Sequence, residues 1–235
     1  MLATTLLLTR RAATDVDLSS VKAATSGGAP LGPEVIKAVY KRLGILIHMG
    51  YGLSETSGVT AQLADTWADL EPLLGTSGTA YPGTELSIAS TEDGKIVPLG
   101  AEGEILIRAA TNLISYLNNP AATKEAINKD GWFCTGDVGK LDAHGRLTIT
   151  DRLKELIKVK GFQCSPAELE DGLCGSPFVA DAGVTGIYYE DEATEYPRAY
   201  VVPKDKSILQ GGKKAEEFAH QVRKYIEGSY VHYKW

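Results

Sequence analysis

The sequence predicts a mixed α/β and α+β fold, in which part of a large domain with a β-barrel-like subdomain precedes a small α+β C-terminal domain. Three patterns support this prediction. A helix and a buried strand lie near the start, short strands between turns fill residues 75–150, and a helix–strand–strand–helix series follows residue 151. We place the two domains at residues 1–151 and 152–235, with a hinge near Lys154.

The helix–strand unit comes first along the chain. In "GPEVIKAVYKRLG", apolar residues recur at helical spacing and Gly44 supplies a stop. "ILIHM" (residues 45–49) then predicts a short buried strand that breaks at "GYG" (residues 50–52). Because ligands of α/β sheets bind beyond the carboxyl ends of strands, the loops that follow such strands are candidate binding segments.

Short strands dominate the middle of the chain. "TELSIAS", "GEILIRA" and "GRLTITD" alternate with the turn signals "EDGK", "PLGAEG" and "DAHG". This rhythm predicts an antiparallel, barrel-like subdomain.

The last region begins with a helix start. Ser165 is a candidate N-cap, Pro166 takes the first helical position, and Glu168 completes a capping box. Two strands, "AGVTGIYY" and "RAYVVP", flank an acidic loop, and a helix from about Lys213 to Glu227 follows.

Composition excludes several classes of partner. The chain has 235 residues, of which 43% are apolar and 23% charged, and its net charge is −6. Nucleic-acid and anionic-membrane surfaces need a broad basic field, and a membrane span needs about 18 apolar residues in a row. We therefore expect no nucleic-acid partner and no membrane span, and the sequence leaves the oligomeric state open.

Cysteine and histidine usage indicates neither disulfides nor a metal cage. The three cysteines, Cys134, Cys164 and Cys174, form no C-x-x-C pair, and the four histidines lack metal-ligand spacing. A reducing compartment fits this pattern. We expect a cytoplasmic location, with the peroxisome as an alternative for a full-length protein.

Two glycine-rich segments could hold a nucleotide. "SGGAPLG" (residues 26–32) and "MGYGLSETSG" (residues 49–58) lack Cβ atoms where backbone N–H groups would approach a ligand. Ser54 offers a hydroxyl to a phosphate, Glu55 offers a hard carboxylate to Mg²⁺, and Tyr51 could stack on a base. Taken alone, a glycine loop is more often an ordinary turn.

A second group of polar residues spans residues 131–161. Asp137, between the turn-forming Gly136 and a strand, could accept hydrogen bonds from both hydroxyls of a ribose, or could merely close a turn. Arg152 could pair with Asp151 on the surface or could reach a ribose or phosphate. Four cations within residues 152–160 indicate either a solvated basic face or a site for an anionic substrate.

Five segments, in order over about residues 18–205, resemble the adenylate-forming (AMP-binding) superfamily. The branch that the chain resembles contains acyl-CoA synthetases, 4-coumarate–CoA ligases and firefly-type luciferases. The matching segments are "SGGAPLG", "GYGLSET", "GEILIRAATNLISYLNNPAATKEAI", "GWFCTGDVGKLDAHGRL" and "DRLKELIKVKGFQCSPAELE".

This resemblance implies a nucleotide site in the first domain. Gly28 and Ala29 would line the adenine pocket, with Tyr51 beside the base and with Gly50 and Gly52 in the same nucleotide-binding segment. His48 would border the acyl pocket together with Gly50.

The phosphates, ribose and metal would be held by polar side chains. Ser54 would contact the phosphate, and Glu55 would hold Mg²⁺ as a catalytic residue. Asp137 and Arg152 would bind the ribose, and Gln163 would lie near the nucleotide in one domain orientation.

The cationic segment would serve the second half-reaction. Lys154 would be the hinge of a domain rotation, and Lys158, a catalytic residue, would meet the acyl-adenylate together with Gly161 when the thiol attacks. The implied chemistry activates an aryl or fatty acid with ATP and Mg²⁺ and transfers it from AMP to coenzyme A.

Two missing segments indicate an incomplete form, and one altered segment bears on the conformation of a loop. The Ser/Thr/Gly-rich phosphate loop would lie before residue 1, and the lysine segment that serves adenylation would follow Trp235. "RAATNLISY" carries Ala109 and Ser115 where turns with Pro or Gly are common. We therefore expect a fragment whose own activity is open, and a non-catalytic adenine-nucleotide-binding or interaction fragment is the alternative.

Overall fold

The protein forms two compact units, which divide between Ile149 and Thr150. The structure, a computed structural model, describes residues 17–29, 31–210 and 212–230. The division lies close to the predicted boundary, while the domain roles and the hinge at Lys154 stay predictions. The sequence analysis expected the lysine segment after Trp235, and residues 231–235 lie outside the described residues. None of the helices in the described ranges is long and apolar enough to cross a bilayer.

The first unit contains a four-stranded sheet in the order β1-β2-β3-β4. The β1–β2 pair is parallel, and the β2–β3 and β3–β4 pairs are antiparallel. The strands are β1 (Ala23–Ser26), β2 (Leu46–Leu53), β3 (Ser57–Ala61) and β4 (Thr79–Ala80). Helix α1 (Pro33–Leu43) joins β1 to β2 and ends, as predicted, at a left-handed Gly44 with φ of 69°.

The core beneath this sheet explains why α1 forms where it does. Ile36 and Val39 of α1 are fully buried and pack in one cluster with Ile47 of β2. A short helix, α2 (Trp67–Leu70), adds Leu70 to the same cluster and is capped by the hydroxyl of Thr66. Burial of this apolar face is the main stabilising contribution of the helix.

Strand β2 is longer than the sequence predicted. The expected break at "GYG" is wrong, because the strand continues through these residues to Leu53. A Cβ at Gly52 would overlap the carbonyl oxygen of Ser57 on β3, so glycine permits a close strand approach here. The register shifts at this point, between Tyr51 and Gly52.

A second four-stranded sheet confirms the predicted run of strands. Its order is β5-β6-β7-β8, from β5 (Thr84–Ala89), β6 (Gly103–Ala109), β7 (Phe133–Leu141) and β8 (Leu147–Arg152). Ile105, Ile107 and Leu147 are fully buried within it. Helix α3 (Pro120–Ala126), which the sequence analysis missed, begins at Asn119, whose side chain accepts a hydrogen bond from the Ala122 N–H.

Over its described residues, the second unit contains two antiparallel strand pairs and two α-helices. The elements are β9 (Ile157–Val159), β10 (Phe162–Cys164), α4 (Pro166–Cys174), β11 (Val179–Tyr189), β12 (Thr194–Pro203) and α5 (Lys213–Glu227). The predicted cap is confirmed, because the Ser165 hydroxyl accepts a hydrogen bond from the Glu168 N–H at 3.0 Å. Strand β12 begins earlier than predicted, inside the acidic loop, which contributes only a short 3₁₀ turn at Glu190–Glu192.

Candidate functional site

The two glycine-rich segments meet at one edge of the first sheet. Strands β1 and β2 run parallel, and Ser26 at the end of β1 pairs with Met49. A Cβ on Gly27 would lie 3.2 Å from the carbonyl oxygen of Gly50, so the two segments are in close contact. Gly28 adopts a left-handed conformation with φ of 81°, and Gly28 and Ala29 are exposed just beyond the strand.

Tyr51 and Asp137, 86 residues apart in sequence, are joined by a hydrogen bond. The Tyr51 hydroxyl donates to Oδ2 of Asp137 at 2.6 Å. Asp137 is only 3% exposed and Tyr51 is half-buried. A buried carboxylate needs such donors, because an unpaired charge away from water is strongly unfavourable. The structure thus places two of the predicted nucleotide-binding side chains side by side.

Asp137 lies inside β7 and does not close a turn, so that alternative interpretation is wrong. The register between β6 and β7 shifts near Ile105, and Gly136 has a left-handed φ of 70°. Bulges of this kind re-aim a side chain and are frequent beside active sites. The Gly136 N–H donates to Oε1 of Glu104 at 2.9 Å, and the Asp137 N–H donates to Oγ1 of Thr135 at 3.0 Å.

Ser54 and Glu55 lie in the turn between β2 and β3. Ser54 is exposed, Glu55 is half-buried, and Thr56 is completely buried. The Tyr116 hydroxyl donates to Oε1 of Glu55 at 3.0 Å. Burial, followed by the hydrogen bond and charge of Glu55, raises the pKa of Tyr116, which keeps the phenol protonated as the donor.

Glu55 fits the way in which Mg²⁺ is usually held beside a nucleotide. Within the described ranges, no group of three or more His, Cys, Asp or Glu residues could hold a metal ion. Magnesium keeps several waters and binds one or two carboxylates together with substrate phosphates, so a lone carboxylate beside a phosphate site suffices. Oε2 of Glu55 has no hydrogen bond or ion pair to the described part of the chain.

In the second unit, the cationic segment forms a tight hairpin that the sequence analysis missed. Strands β9 and β10 pair so that Gln163 lies opposite Lys158. Both loop residues, Lys160 and Gly161, have positive φ, at 47° and 89°. This geometry matches the primed turns that two-residue hairpin loops favour.

Backbone contacts hold this hairpin while its side chains are exposed. The Lys158 N–H donates to Oε2 of Glu195 at 2.7 Å, and the Lys160 N–H donates to Oγ1 of Thr194 at 2.7 Å. The Lys158 side chain itself is exposed. Two hydrogen bonds raise the pKa of Lys160 to about 12, the one with Tyr196 having the larger effect and the one with Glu192 the smaller.

The predicted site residues divide between the two units. The first unit contains Gly28, Ala29, Gly50, Tyr51, Gly52, Ser54, Glu55 and Asp137, and the second contains Arg152, Lys154, Lys158, Gly161 and Gln163. Arg152 ends β8 and is exposed, and Lys154 lies in the exposed turn after it. Nε2 of His48 is buried without a hydrogen-bond partner among the described residues, and its acyl-pocket role stays a prediction.

Two family models match the chain. One, described as "AMP-binding enzyme", matches residues 1–117, and the other, described as "AMP-binding enzyme C-terminal domain", matches residues 168–234. Together they cover well over half of the sequence.

Curated relatives carry the names of 4-coumarate–CoA ligases and of a luciferin 4-monooxygenase. The chain is 38% identical to 4-coumarate–CoA ligase 5 of Oryza sativa subsp. japonica, over 93% of this chain and 39% of that protein. It is 40% identical to 4-coumarate–CoA ligase 1 of Arabidopsis thaliana and 39% identical to luciferin 4-monooxygenase of Photuris pensylvanica. Each of these two alignments covers 93% of this chain and 38% of the relative. The chain therefore spans well under half the length of the relatives that it matches.

Solved structures agree in fold. An ATP-bound RpMatB-BxBclM chimera superposes with a TM-score of 0.86 at 27% identity, covering 98% of this chain and 44% of the chimera. The o-succinylbenzoate CoA synthetase of Bacillus subtilis, in complex with its acyl-adenylate intermediate, gives 0.79 at 27% identity, covering 99% of this chain and 44% of that enzyme. On its motifs, its matched family models and its fold, the chain belongs to the adenylate-forming, AMP-binding enzyme superfamily.

Proposed function

We propose that this chain contributes the adenosine-binding part and the thiol-transfer segment of an acyl- or aryl-CoA ligase. In this reaction the carboxylate oxygen of an acid bonds to the α-phosphorus of ATP, and the bond to pyrophosphate breaks. The sulfur of coenzyme A then bonds to the acyl carbon, and AMP leaves. The observation that carries the proposal is the hydrogen bond from Tyr51 to the buried Asp137, beside the glycine-lined edge.

Asp137 is the proposed ribose-binding residue. Its carboxylate is buried, is oriented by the Tyr51 hydroxyl, and is presented by a bulge whose backbone is fixed by Glu104 and Thr135. Ionised acceptors form stronger and shorter hydrogen bonds than neutral ones, which suits recognition of two ribose hydroxyls. Gly28 and Ala29 are proposed to line the adenine pocket, with the Tyr51 ring beside the base.

The turn between β2 and β3 is the proposed phosphate and metal segment. Ser54 would contact a phosphate oxygen, and Glu55 would hold the Mg²⁺ that accompanies ATP. When bound, the ion neutralises part of the charge on the phosphates. The contribution of this chain is a fixed carboxylate, because positioning and electrostatic stabilisation dominate catalysis of phosphoryl transfer.

In the second unit, the exposed cations are proposed to serve the anionic adenylate. Lys158 and Gly161 would meet it during thiol attack, Arg152 would bind the ribose, Gln163 would lie near the nucleotide, and Lys154 would be the hinge. The pairing of Gln163 with Lys158 across the hairpin supports a shared surface for these two residues.

The names of the curated relatives support coenzyme A as the acceptor and an aryl or fatty acid as the substrate. The cytoplasm, with the peroxisome as the alternative for a full-length protein, is the proposed location.

The test has two parts. We expect calorimetric titration to show AMP binding by the purified chain, and we expect Asp137→Asn to weaken that binding. ATP–pyrophosphate exchange with a panel of aryl and fatty acids then measures adenylation. Binding without exchange would favour the non-catalytic nucleotide-binding alternative, and folded protein that binds no AMP would contradict the proposal.

A further inference from the structure

The loop after β6 is bonded to the turn that carries Glu55. In this loop, residues 110–116, the Thr111 hydroxyl donates to the carbonyl oxygen of Thr56 at 2.8 Å, and the Leu113 N–H donates to that of Glu55 at 2.6 Å. The third contact is the Tyr116 hydroxyl on Oε1 of Glu55, at 3.0 Å. One loop therefore holds both the backbone and the carboxylate of the proposed metal ligand.

The backbone of the turn is already fixed without Tyr116. The Leu53 N–H donates to Oγ1 of Thr56 at 3.2 Å, and the Thr56 N–H donates to the carbonyl oxygen of Leu53 at 3.2 Å. Ser57 completes the turn with a left-handed φ of 61°. What remains undetermined by these contacts is the orientation of the Glu55 side chain, and the Tyr116 hydroxyl supplies that restraint.

The large apolar side chains beside Tyr116 do not anchor this loop in a core. The neighbours Ile114 and Leu117 are 94% and 89% exposed, so the loop does not insert these large side chains into a core. The loop is held by polar contacts to the turn and by the hydrogen bond from Asn112 to the carbonyl oxygen of Ile107, at 3.0 Å. The Tyr116 N–H also donates to Oγ1 of Thr123, at 2.9 Å. The hydroxyl of Tyr116 is thus placed by the same loop that fixes the Glu55 backbone.

We infer that Tyr116 is a positioning residue, whose hydroxyl fixes one carboxylate oxygen of Glu55 so that the other faces the divalent cation of bound ATP. This inference rests on the proposed function. It also gives a role to the segment "RAATNLISY", which departs from the family pattern at Ala109 and Ser115. Outer-sphere partners of metal-ligating groups commonly change metal affinity by about 10–100-fold when they are removed.

The experiment compares ATP binding by calorimetry with and without Mg²⁺. We expect Mg²⁺ to tighten ATP binding to the unmodified chain, and we expect Tyr116→Phe to reduce that gain about tenfold. AMP affinity without Mg²⁺ should stay unchanged, which a general loss of structure would not allow. Tyr188→Phe, which removes the hydroxyl of a 60% exposed tyrosine in the other unit, is the matched control.

A double-mutant cycle shows whether Tyr116 acts through Glu55. Glu55→Ala should abolish the Mg²⁺ gain, and adding Tyr116→Phe to it should cause no further loss. If the unmodified chain shows the gain and Tyr116→Phe keeps it in full, the positioning inference is wrong while the proposed function stands. If the unmodified chain binds neither AMP nor ATP, the proposed function fails and this inference fails with it.

Discussion

The candidate site residues of the first unit and those of the second unit are held in different ways. In the first unit, side chains far apart in sequence hold one another, as Tyr51 holds Asp137 and Tyr116 holds Glu55. In the second unit, the hairpin around Lys158 is fixed through its backbone, and the Lys158 side chain is exposed. Protein contacts thus orient the candidate side chains of the first unit, whereas the second unit presents long, exposed side chains.

This difference indicates that the two units contribute to ligand binding in different ways. A buried carboxylate that already has its orientation loses little conformational entropy when it binds a ribose. An exposed lysine loses as much as about 2 kcal/mol of rotamer freedom when it is ordered. We therefore infer that orientation of the ribose depends mainly on Asp137 and Tyr51, and that exposed lysines such as Lys158 act on the charge of the adenylate.

The largest effect should come from disturbing the close contact between β2 and β3 at Gly52. Gly52→Ala would place a methyl group against the carbonyl oxygen of Ser57 and force β2 and β3 apart. We expect a loss of about 3 kcal/mol in the free energy of unfolding, measured by urea denaturation. Gly183→Ala is the matched control, because Gly183 also lies in a strand and a Cβ there would meet nothing within 4 Å. Equal stability of the two variants would contradict a close approach at Gly52.

A smaller effect should follow from removing the hydroxyl of Tyr51. In Tyr51→Phe, Asp137 loses a donor at 2.6 Å and its carboxylate is less well oriented for a ribose. We expect AMP affinity to fall about tenfold, which corresponds to about 1.4 kcal/mol and lies at the lower end for hydrogen bonds to charged groups. Tyr81→Phe, at an exposed tyrosine of the same unit, controls for loss of a phenol. An affinity within twofold of the unmodified chain would show that this bond does not prepare the site.

The smallest effect concerns the pair of Lys160 and Glu192, whose Nζ and Oε2 atoms are 3.0 Å apart. The hydrogen bond with Lys160 lowers the pKa of Glu192, and the pKa of Lys160 is raised to about 12. The stabilisation is therefore present at neutral pH, and is lost as pH falls through the lowered pKa of Glu192 or rises through about 12. We expect Lys160→Gln to lower the unfolding midpoint slightly, and more at pH 7 than at pH 2, because the contact of Lys160 with the Tyr196 ring remains at both pH values.

The control for this pair is Lys206→Gln, which removes an exposed lysine of the same unit. It should show no comparable difference between the two pH values. A Lys160→Gln effect of the same size at both values would mean that the ion pair contributes nothing to stability.

Local signals predicted the elements whose causes are local. Helix α1 with its stop at Gly44, and the cap at Ser165, each depend on residues within one turn of one another, and both are confirmed. The extension of β2 through "GYG" could not be predicted, since glycine favours a turn until a partner strand requires close approach. The opposing residue, Ser57, lies across a turn whose geometry the sequence does not specify.

The candidate site likewise depends on contacts between residues far apart in sequence, which the sequence alone does not predict. Tyr51 and Asp137 were each predicted from their motifs, but their hydrogen bond joins residues 86 positions apart and depends on a bulge in β7. Tyr116 was missed because nothing near it in sequence identifies Glu55, 61 residues away, as its partner. The tyrosine in "ISYLNN", inside one of the family-like segments, was the signal that could have drawn notice.

The most direct measurement compares AMP affinity, by calorimetry, between Asp137→Asn and Lys158→Gln. Asp137 is buried and bonded to Tyr51, whereas the Lys158 side chain is exposed on β9. Because a hydrogen bond to a charged group contributes about 1.5–3 kcal/mol, we predict that Asp137→Asn weakens AMP binding by roughly 10–100-fold. We predict that Lys158→Gln leaves it within about twofold, since an exposed, solvent-screened charge contributes little. Equal losses in the two variants, or an unchanged affinity in Asp137→Asn, would contradict a nucleoside site that depends on Asp137 of the first unit.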